Sequence, residues 1–423
     1  MAHYLLFGKF KYGTSQTGRL SPEQVTAEYQ KRLAGISTVV TSMFPTLLTR
    51  DGLPEVSYPV FFVETRDINS AVATVHAQSR KITQIANNHQ DLPPVAQAGF
   101  INALLLNEIY FTNEIEGVRT DREEIGTLIG NLETQPAGHH QRRLESTVRM
   151  YQDTIAGRLL QIKNLPDFRI IYDTLLAGEI DSDKLPDGEL FRASPVYIGT
   201  ESSKIHQPPA SEKEISTALA QLIPFMNDDA LDPVLKAIVT HFMFENTHPF
   251  LDGNGRTGRY LLASYLANKF DIFTGLSVST AIHEHVKTYY RIFREADQLE
   301  NRGELTLFVQ AMLTIIIWGQ RYVLDQLNDR QEQLAEKMAL IRQRLTNLSE
   351  MAWDIVSMIL QSDLFNNEQT SGIQDRQIVA RLNPPYAKTK IKTNISALTA
   401  RHILVQVNGK PLQHVVNPDV LKP

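Results

Sequence analysis

Apolar residues recur at helical spacing along most of this chain. Between positions 234 and 243 they return every three or four residues, and the preceding Asp232-Pro233 pair is typical of a helix N-terminus. The same spacing, broken by short polar loops, continues from Pro93 to about Trp318. The pattern therefore predicts a mainly α fold.

Two segments depart from that pattern. Residues 1–90 mix short β-like runs, such as VFFV at 60–63, with an amphipathic helical stretch near Ile68 to Ile85. We expect an N-terminal α/β extension there. The segment FRASPVYIGTESSKIHQPPA, residues 191–210, contains a run of alternating apolar residues, a polar tip and a double proline. It predicts a small β-hairpin on a helical body.

The C-terminal part predicts a separate module. Residues 320–347 form a long charged helical stretch, and a helix, a basic stretch and ILVQVNGKPLQHVV follow. Asn408-Gly409 is typical of a hairpin turn, and helices before a terminal hairpin suggest a winged helix. The predicted domains are 1–90, an N-terminal extension; 91–320, a helical core; 321–349, a linker helix; and 350–423, a winged-helix-like domain.

Composition narrows the class of protein. The 423 residues carry a net charge of −5, which gives no general attraction to nucleic acid or anionic membranes. The absence of cysteine excludes disulfides, zinc-thiolate sites and cysteine nucleophiles, and it fits a reducing compartment. The runs YLLF and AMLTIIIWG are too short for a signal-peptide core and a membrane span, respectively. We expect a cytoplasmic protein without a membrane partner.

The loop HPFLDGNGRTGR, residues 248–259, concentrates candidate chemistry. Gly253, Asn254 and Gly255 lie between two helical patterns, where unpaired amides at a helix N-terminus suit a phosphate group. Arg256 and Arg259 are three positions apart, hence on one helical face, and could bind further phosphate oxygens. The turn and the two arginines predict an anion site.

Two further side chains of the loop suggest a reaction at that site. A carboxylate next to phosphates, as at Asp252, favours a bridging Mg²⁺. His248 could take a proton from an incoming hydroxyl. GNGRTG also fits the dinucleotide pattern GxGxxG, but that pattern needs a preceding strand, and no GK(S/T) follows for a Walker loop.

The loop resembles the motif of the Fic family, HxFx(D/E)GNGRxxR, at every fixed position. The resemblance covers about residues 90–320 and implies an all-helical core that moves AMP from ATP to a Tyr, Thr or Ser hydroxyl of a protein. The matching residues are His248, Phe250, Asp252, Gly253, Asn254, Gly255, Arg256 and Arg259.

The same resemblance implies a role for each loop residue. His248 would be the general base, and Asp252 would hold Mg²⁺ against the α- and β-phosphates of ATP. The turn 253–255 and Arg256 would bind the phosphate chain, and Arg259 would hold the γ-phosphate. The phenylalanine of the motif would anchor the loop in the core.

The 191–210 hairpin resembles the family's flap, which pairs with the backbone of a target protein. Val196, Ile198 and Gly199 would belong to its working edge. Tyr289 and Tyr290 resemble the family's wall beside the adenine. The implied partner is therefore a protein that presents a hydroxyl side chain, with self-modification and a homodimer as further expectations.

A segment before the loop resembles the family's inhibitory pattern (S/T)xxxE(G/N). Residues 104–116 predict a helix, and Gly117 would end it. In that resemblance Glu116 would pair with Arg259 in the place of the γ-phosphate, and Thr112 would hold the helix against the site. The resemblance thus implies an autoinhibited enzyme.

Other functions stay open at this point. The same loop could transfer another phosphate-containing group or remove AMP from a modified target. A DNA-binding regulator is the alternative from another class, because residues 371–423 carry eight Lys and Arg against two Asp, a net +6. A protein-interaction or dimerisation module would fit the same C-terminal segment.

Overall fold

The computed structural model describes residues 4–13, 18–48, 57–89, 92–132, 143–158, 161–200, 203–366, 372–409 and 411–422. The fold is mainly α, as predicted. The helices are α1 Phe7–Phe10, α2 Pro22–Leu33, α3 Arg66–Asn87, α4 Pro94–Ile115, α5 Arg122–Leu132, α6 Glu145–Ile155, α7 Leu165–Leu175, α8 Glu212–Asn227, α9 Pro233–Thr247, α10 Asn254–Lys269, α11 Ile272–Gly275, α12 Val278–Glu284, α13 Val286–Ala296, α14 Thr306–Arg344, α15 Glu350–Phe365, α16 Asp375–Leu382 and α17 Lys388–Ala400.

The strands form three small antiparallel sheets in the described part of the chain: β1 Thr38–Val40 with β2 Phe61–Val63; β3 Ile198–Thr200 with β4 Ser203–His206; and β5 Ile373–Gln374, β6 Leu404–Gly409 and β7 Leu412–Val416, in the order β5-β7-β6.

The chain separates into two compact units. The first comprises residues 1–79, 111–119 and 137–320, and the second comprises 80–110, 120–136 and 321–423. The boundaries of these units therefore cross the four predicted segments. Helix α14 runs from Thr306 to Arg344 without interruption and contains most of the predicted linker helix 321–349. Helix α14 contains no proline, and Gly319 is its one glycine, through which the helix continues.

Helices α9 and α10 form the centre of the first unit. The side chain of Asp232 accepts a hydrogen bond from the amide of Val234, and Pro233 is the first residue of α9, as predicted. Nearly every residue of α9 is buried. Helix α10 follows after six residues and contacts α6, α7, α9, α11 and α12. The loop between α9 and α10 is thus fixed at both ends by buried helices.

The predicted hairpin of 191–210 is confirmed, although its strands are short. Ile198 pairs with His206, and a bulge lies between Ile198 and Gly199. Val196 precedes the strand, and residues 201 and 202 at the tip lie outside the described part. In the N-terminal extension, the run VFFV contains β2, and the amphipathic stretch is α3.

The second unit has a core of its own, to which α15, α16, α17 and the three-stranded sheet contribute. The terminal hairpin is present, but its predicted turn is wrong. Gly409 pairs with Leu412, so Asn408 and Gly409 belong to strand β6. A bulge between Gln406 and Asn408 takes up the additional strand length.

Among the described helices, α14 alone has both the length and the apolar composition that a membrane-spanning helix needs. More than half of that apolar window, 56%, is buried inside the protein. Burial of this kind is what the core helix of a globular unit shows.

Arg192 joins the hairpin to the loop that follows α9. Its side chain is fully buried and donates to the backbone oxygens of His248 (2.8 Å), Ser194 (2.9 Å) and Pro209 (2.7 Å). Burial lowers the pKa of Arg192 to about 10, so the guanidinium stays charged at neutral pH. The Arg192 side chain therefore donates hydrogen bonds to backbone oxygens from three separate positions along the chain.

We predict that Arg192→Met lowers the free energy of unfolding by about 2–4 kcal/mol, because it leaves several carbonyls without a donor. Urea denaturation measures the loss. Arg158→Met is the matched control, since Arg158 forms an exposed ion pair with Asp153, and its effect should stay within about 0.5 kcal/mol. Equal losses in the two variants would contradict the role assigned to Arg192.

Candidate functional site

The loop between α9 and α10 is closed by its own side chains. The amide of Asn254 accepts from the backbone nitrogen of Phe250 (2.9 Å) and donates to its oxygen (2.7 Å). The ring of Phe250 is buried and stacks on Tyr172, with the centroids 3.8 Å apart. Gly253 has a φ of 82°, a conformation that favours glycine, just before α10 begins. The loop is thus held in one shape before any ligand arrives.

The predicted anion site at the start of α10 contacts a carboxylate. A Cβ added to Gly255 would lie 2.0 Å from Oε1 of Glu116, so this carboxylate rests directly on the backbone of the first helical turn. The amides and the dipole of a helix N-terminus favour negative charge there. Glu116 therefore occupies the position that the sequence assigns to a phosphate.

Arg259 binds the same carboxylate. Its buried guanidinium donates to Oε1 of Glu116 (2.8 Å), to the hydroxyl of Thr112 (2.9 Å) and to the backbone oxygen of Thr112 (3.0 Å). Burial disfavours the charged form, but the charge of Glu116 more than offsets this effect and raises the pKa of Arg259. The structure thus brings together all three residues of the predicted inhibitory contact.

The end of α4 presents Glu116 to this site. Gly117 has a φ of 68°, and its amide donates to Glu114 O (3.0 Å), while the amide of Val118 donates to Asn113 O (2.9 Å). These two bonds form the Schellman arrangement that ends a helix at a glycine. The position of Glu116 is therefore fixed by the way its helix ends.

Arg256 and Asp252 lie side by side. Arg256 is buried and lies 3.4 Å from Glu179 Oε2 and 3.5 Å from Asp252 Oδ1. The side chain of Asp252 is 37% exposed, and its Oδ2 lies 3.7 Å from the ammonium of Lys184. Magnesium ions in proteins commonly take one or two carboxylates together with phosphate oxygens, so the accessible Asp252 fits a single protein ligand of Mg²⁺.

His248 ends α9 in the left-handed conformation, with a φ of 48°. Its Nδ1 makes no hydrogen bond to the described residues, and the backbone oxygen of Glu245 lies next to the ring. Burial, followed by the nearby His206 and Arg192, lowers the pKa of His248 to about 3. The imidazole is therefore neutral at pH 7 in this conformation.

A buried polar network lies under the loop. His206 of β4 contacts the backbone oxygen of Asn246 through Nε2 (2.7 Å), and its Nδ1 lies 3.3 Å from Oδ2 of Asp297. The amide of Asn246 donates to Asp297 Oδ1 (2.8 Å). Burial raises the pKa of Asp297. This network ties the base of the hairpin to the end of α9.

The remaining predicted residues differ in their surroundings. Ile198 and Gly199 lie in β3, next to the exposed Tyr197. Tyr289 is buried in an aromatic cluster, and its hydroxyl is 2.8 Å from His241 Nε2. Tyr290 is half-exposed and donates to the backbone oxygen of Ile115 (3.0 Å). Tyr290 therefore lies beside the helix that carries Glu116, whereas Tyr289 packs in the interior.

Sequence reasoning missed several residues that complete the site. Each of them acts on a partner far along the chain, so the local sequence around it carries no signal. They are Glu179, Lys184, Arg192, His206 and Glu245.

Comparisons with known proteins agree with the motif. Residues 163–266 match the model of the Fic/DOC family. The chain is 33% identical over 85 residues to the protein adenylyltransferase fic-1 of Caenorhabditis briggsae, which is 19% of this chain and 15% of that protein. It is 34% identical over 108 residues to a probable protein adenylyltransferase of Aquifex aeolicus, which is 24% of this chain and 32% of that protein.

A solved structure shares the fold. The crystal structure of a Fic family protein from Desulfovibrio desulfuricans G20 aligns with a TM-score of 0.50 and 18% identity, over 83% of this chain and 96% of that one. The matched part of the chain spans less than a third of the length of the two adenylyltransferase relatives. The loop geometry, the match of residues 163–266 and the shared fold together identify a Fic domain in this chain.

Proposed function

We propose that this protein transfers AMP from ATP to a hydroxyl side chain of a target protein and that Glu116 inhibits the reaction. The observation that carries the proposal is the placement of Asp252 and Arg259 at the start of α10, after the loop that His248 opens, with Glu116 seated on that same helix end. Relatives named protein adenylyltransferase carry the same domain, which supports AMP transfer at the level of the family.

The residues of the loop suit binding of the phosphate chain of ATP. The free amides at the start of α10 and the guanidinium of Arg256 would bind phosphate oxygens. Asp252 would hold Mg²⁺, which when bound neutralises negative charge on the phosphates. Lys184, near Asp252, adds positive charge at the same edge of the site.

In the proposed reaction the oxygen of the target hydroxyl attacks the α-phosphorus of ATP. A new phosphorus–oxygen bond forms, the bond from that phosphorus to the bridging oxygen breaks, and pyrophosphate leaves. The neutral His248 accepts the proton of the hydroxyl. The buried arginines and the helix N-terminus are positioned in advance, so they stabilise charge on the phosphates without rearrangement.

Inhibition follows from direct competition for one site. Glu116 binds both the first turn of α10 and the guanidinium of Arg259, and a terminal phosphate of ATP would need the same two groups. Two anions cannot share them at low energetic cost. We infer that ATP binds the wild-type protein with its terminal phosphate displaced, which turns the α-phosphorus away from attack.

The hairpin β3–β4 suits alignment of a target. An extended segment can add to an exposed strand edge through backbone hydrogen bonds, and such pairing fixes a side chain without reading its sequence. Val196, Ile198 and Gly199 would provide this edge. The buried Arg192 and His206 would hold the hairpin at a constant distance from His248.

We predict that His248→Ala abolishes AMP transfer but leaves ATP affinity within about threefold, because the imidazole acts on the hydroxyl and not on the nucleotide. Transfer is measured with labelled ATP in the Glu116→Gly background, and affinity is measured by calorimetry. His283→Ala is the control, since His283 lies outside the loop. Wild-type labelling by the His248→Ala variant would rule out this base.

Asp252→Ala should remove most of the Mg²⁺ dependence of ATP binding, because the phosphates lose the carboxylate that holds the cation. Calorimetric titrations with and without Mg²⁺ give the comparison. Asp181→Ala, a neighbouring exposed carboxylate near Lys184, serves as the control. An unchanged metal dependence in Asp252→Ala would remove Asp252 from the metal site.

Glu116→Gly should increase AMP transfer to the protein itself or to its targets by about tenfold or more, because Arg259 and the first turn of α10 become free for phosphate. Labelling across Mg²⁺ and ATP titrations measures the change. Glu114→Gly places the same glycine at an exposed position of the same helix end and should leave the rate unchanged. The inhibition proposal fails if both variants, or neither, are activated.

A further inference from the structure

The segment from Arg376 to Pro418 carries positive charge that AMP transfer does not use. It contains seven lysines and arginines and no aspartate or glutamate, so its charge is +7 while the remainder of the chain carries −12. The two bordering carboxylates are engaged: Asp375 lies 2.6 Å from Nδ1 of His414, and Asp419 lies 2.6 Å from the ammonium of Lys422. A local positive surface on a negative protein attracts a polyanion at one place.

The backbone around this segment has the order helix, strand, helix, helix, strand, strand, with the sheet order β5-β7-β6. This is the arrangement of a winged helix. The turn between α16 and α17 is fixed, because the amide of Asn383 donates to Tyr386 O (2.8 Å) and the hydroxyl of Tyr386 donates to Asp354 (2.8 Å). In helix-turn-helix proteins the second helix of such a pair lies in the major groove of DNA.

The two faces of α17 differ sharply. Ile391, Ile395 and Leu398 form a buried stripe that packs into the core of the second unit. The opposite stripe is exposed and consists only of small side chains: Thr389, Thr393, Ser396, Ala397 and Ala400. At 3.6 residues per turn, the exposed Lys390 and Lys392 fall on the two flanks of that small-residue stripe.

The small-residue stripe and its flanking lysines suit the major groove of DNA. Small side chains allow a helix to approach the floor of the major groove, where hydroxyl groups can donate to or accept from base edges. Lysines on both flanks reach the phosphates of the two strands. A protein partner is disfavoured, because this stripe offers little of the aromatic or apolar area on which protein interfaces depend.

We propose that α17 binds the major groove of duplex DNA, with the small-residue stripe facing the bases and Lys390 and Lys392 on phosphates. The segment 388–400 and its neighbours lie within the second unit, and the proposal does not depend on AMP transfer. Arg376, Arg381, Lys388 and Arg401 are also exposed and would extend the phosphate contacts. Lys410 lies outside the described residues.

Fluorescence anisotropy of the full chain with a labelled duplex of about three helical turns tests this. Between about 50 and 200 mM salt, log K should fall linearly with log salt. Lys390→Glu/Lys392→Glu should weaken binding by about tenfold or more and reduce the salt slope by about 2. Lys31→Glu/Lys213→Glu changes the net charge equally at exposed positions of the first unit and should leave both quantities unchanged.

A second readout separates base contacts from phosphate contacts. Selection from a random duplex library should give a preferred sequence, and Thr389→Ala/Thr393→Ala should relax that preference while keeping the salt slope. Four results would overturn the proposal: no binding at low salt, equal loss in the control variant, equal affinity for an A-form RNA duplex, or equally tight binding of polyglutamate. The last would identify a surface for acidic proteins instead.

Discussion

The contact of one carboxylate with one helix N-terminus is the interaction on which the proposed inhibition depends. Glu116 touches the backbone at Gly255 and pairs with Arg259, whose buried guanidinium also donates to Thr112. A buried arginine that loses its counter-ion is costly, by about 3–5 kcal/mol when the charge stays uncompensated. Something anionic must therefore occupy this place, either Glu116 or a bound phosphate. In the proposed function, the inhibited and active states would be two ways to meet the same electrostatic requirement.

The remainder of the site is held rigid around that exchange. Asn254 closes the loop on Phe250, and Arg192 and His206 fix the hairpin to the end of α9 through backbone carbonyls. Rigid placement favours the reaction, because groups already in position cost no reorganisation when charge moves. In the proposed function, the part that would move is the end of α4, which stops at Gly117 with two hydrogen bonds from Gly117 and Val118. A short helix end is the kind of element that can shift without disturbing a core.

The sequence predicted those elements that are determined by residues close together in the chain. The spacing of 234–243, the Asp232-Pro233 start and the Gly117 stop are encoded within a few residues, and the structure has each of them. The hairpin turn at Asn408-Gly409 was placed wrongly, because strand pairing and a bulge, not the turn residues, set the register. Arg192, Glu179 and the His206–Asp297 contact could not be predicted, since each depends on a residue 56 or more positions away that only the fold brings near.

The most direct test compares the affinities of ATP and ADP, which differ only by the terminal phosphate, in the wild type and in Glu116→Gln. If Glu116 occupies the place of that phosphate, calorimetry should give similar affinities for the two nucleotides in the wild type. The Glu116→Gln variant should favour ATP over ADP by about tenfold, roughly 1.4 kcal/mol, and Arg259→Ala should cancel that preference. An equal preference for ATP in the wild type and in Glu116→Gln would contradict the account, because Arg259 would then bind phosphate regardless of Glu116.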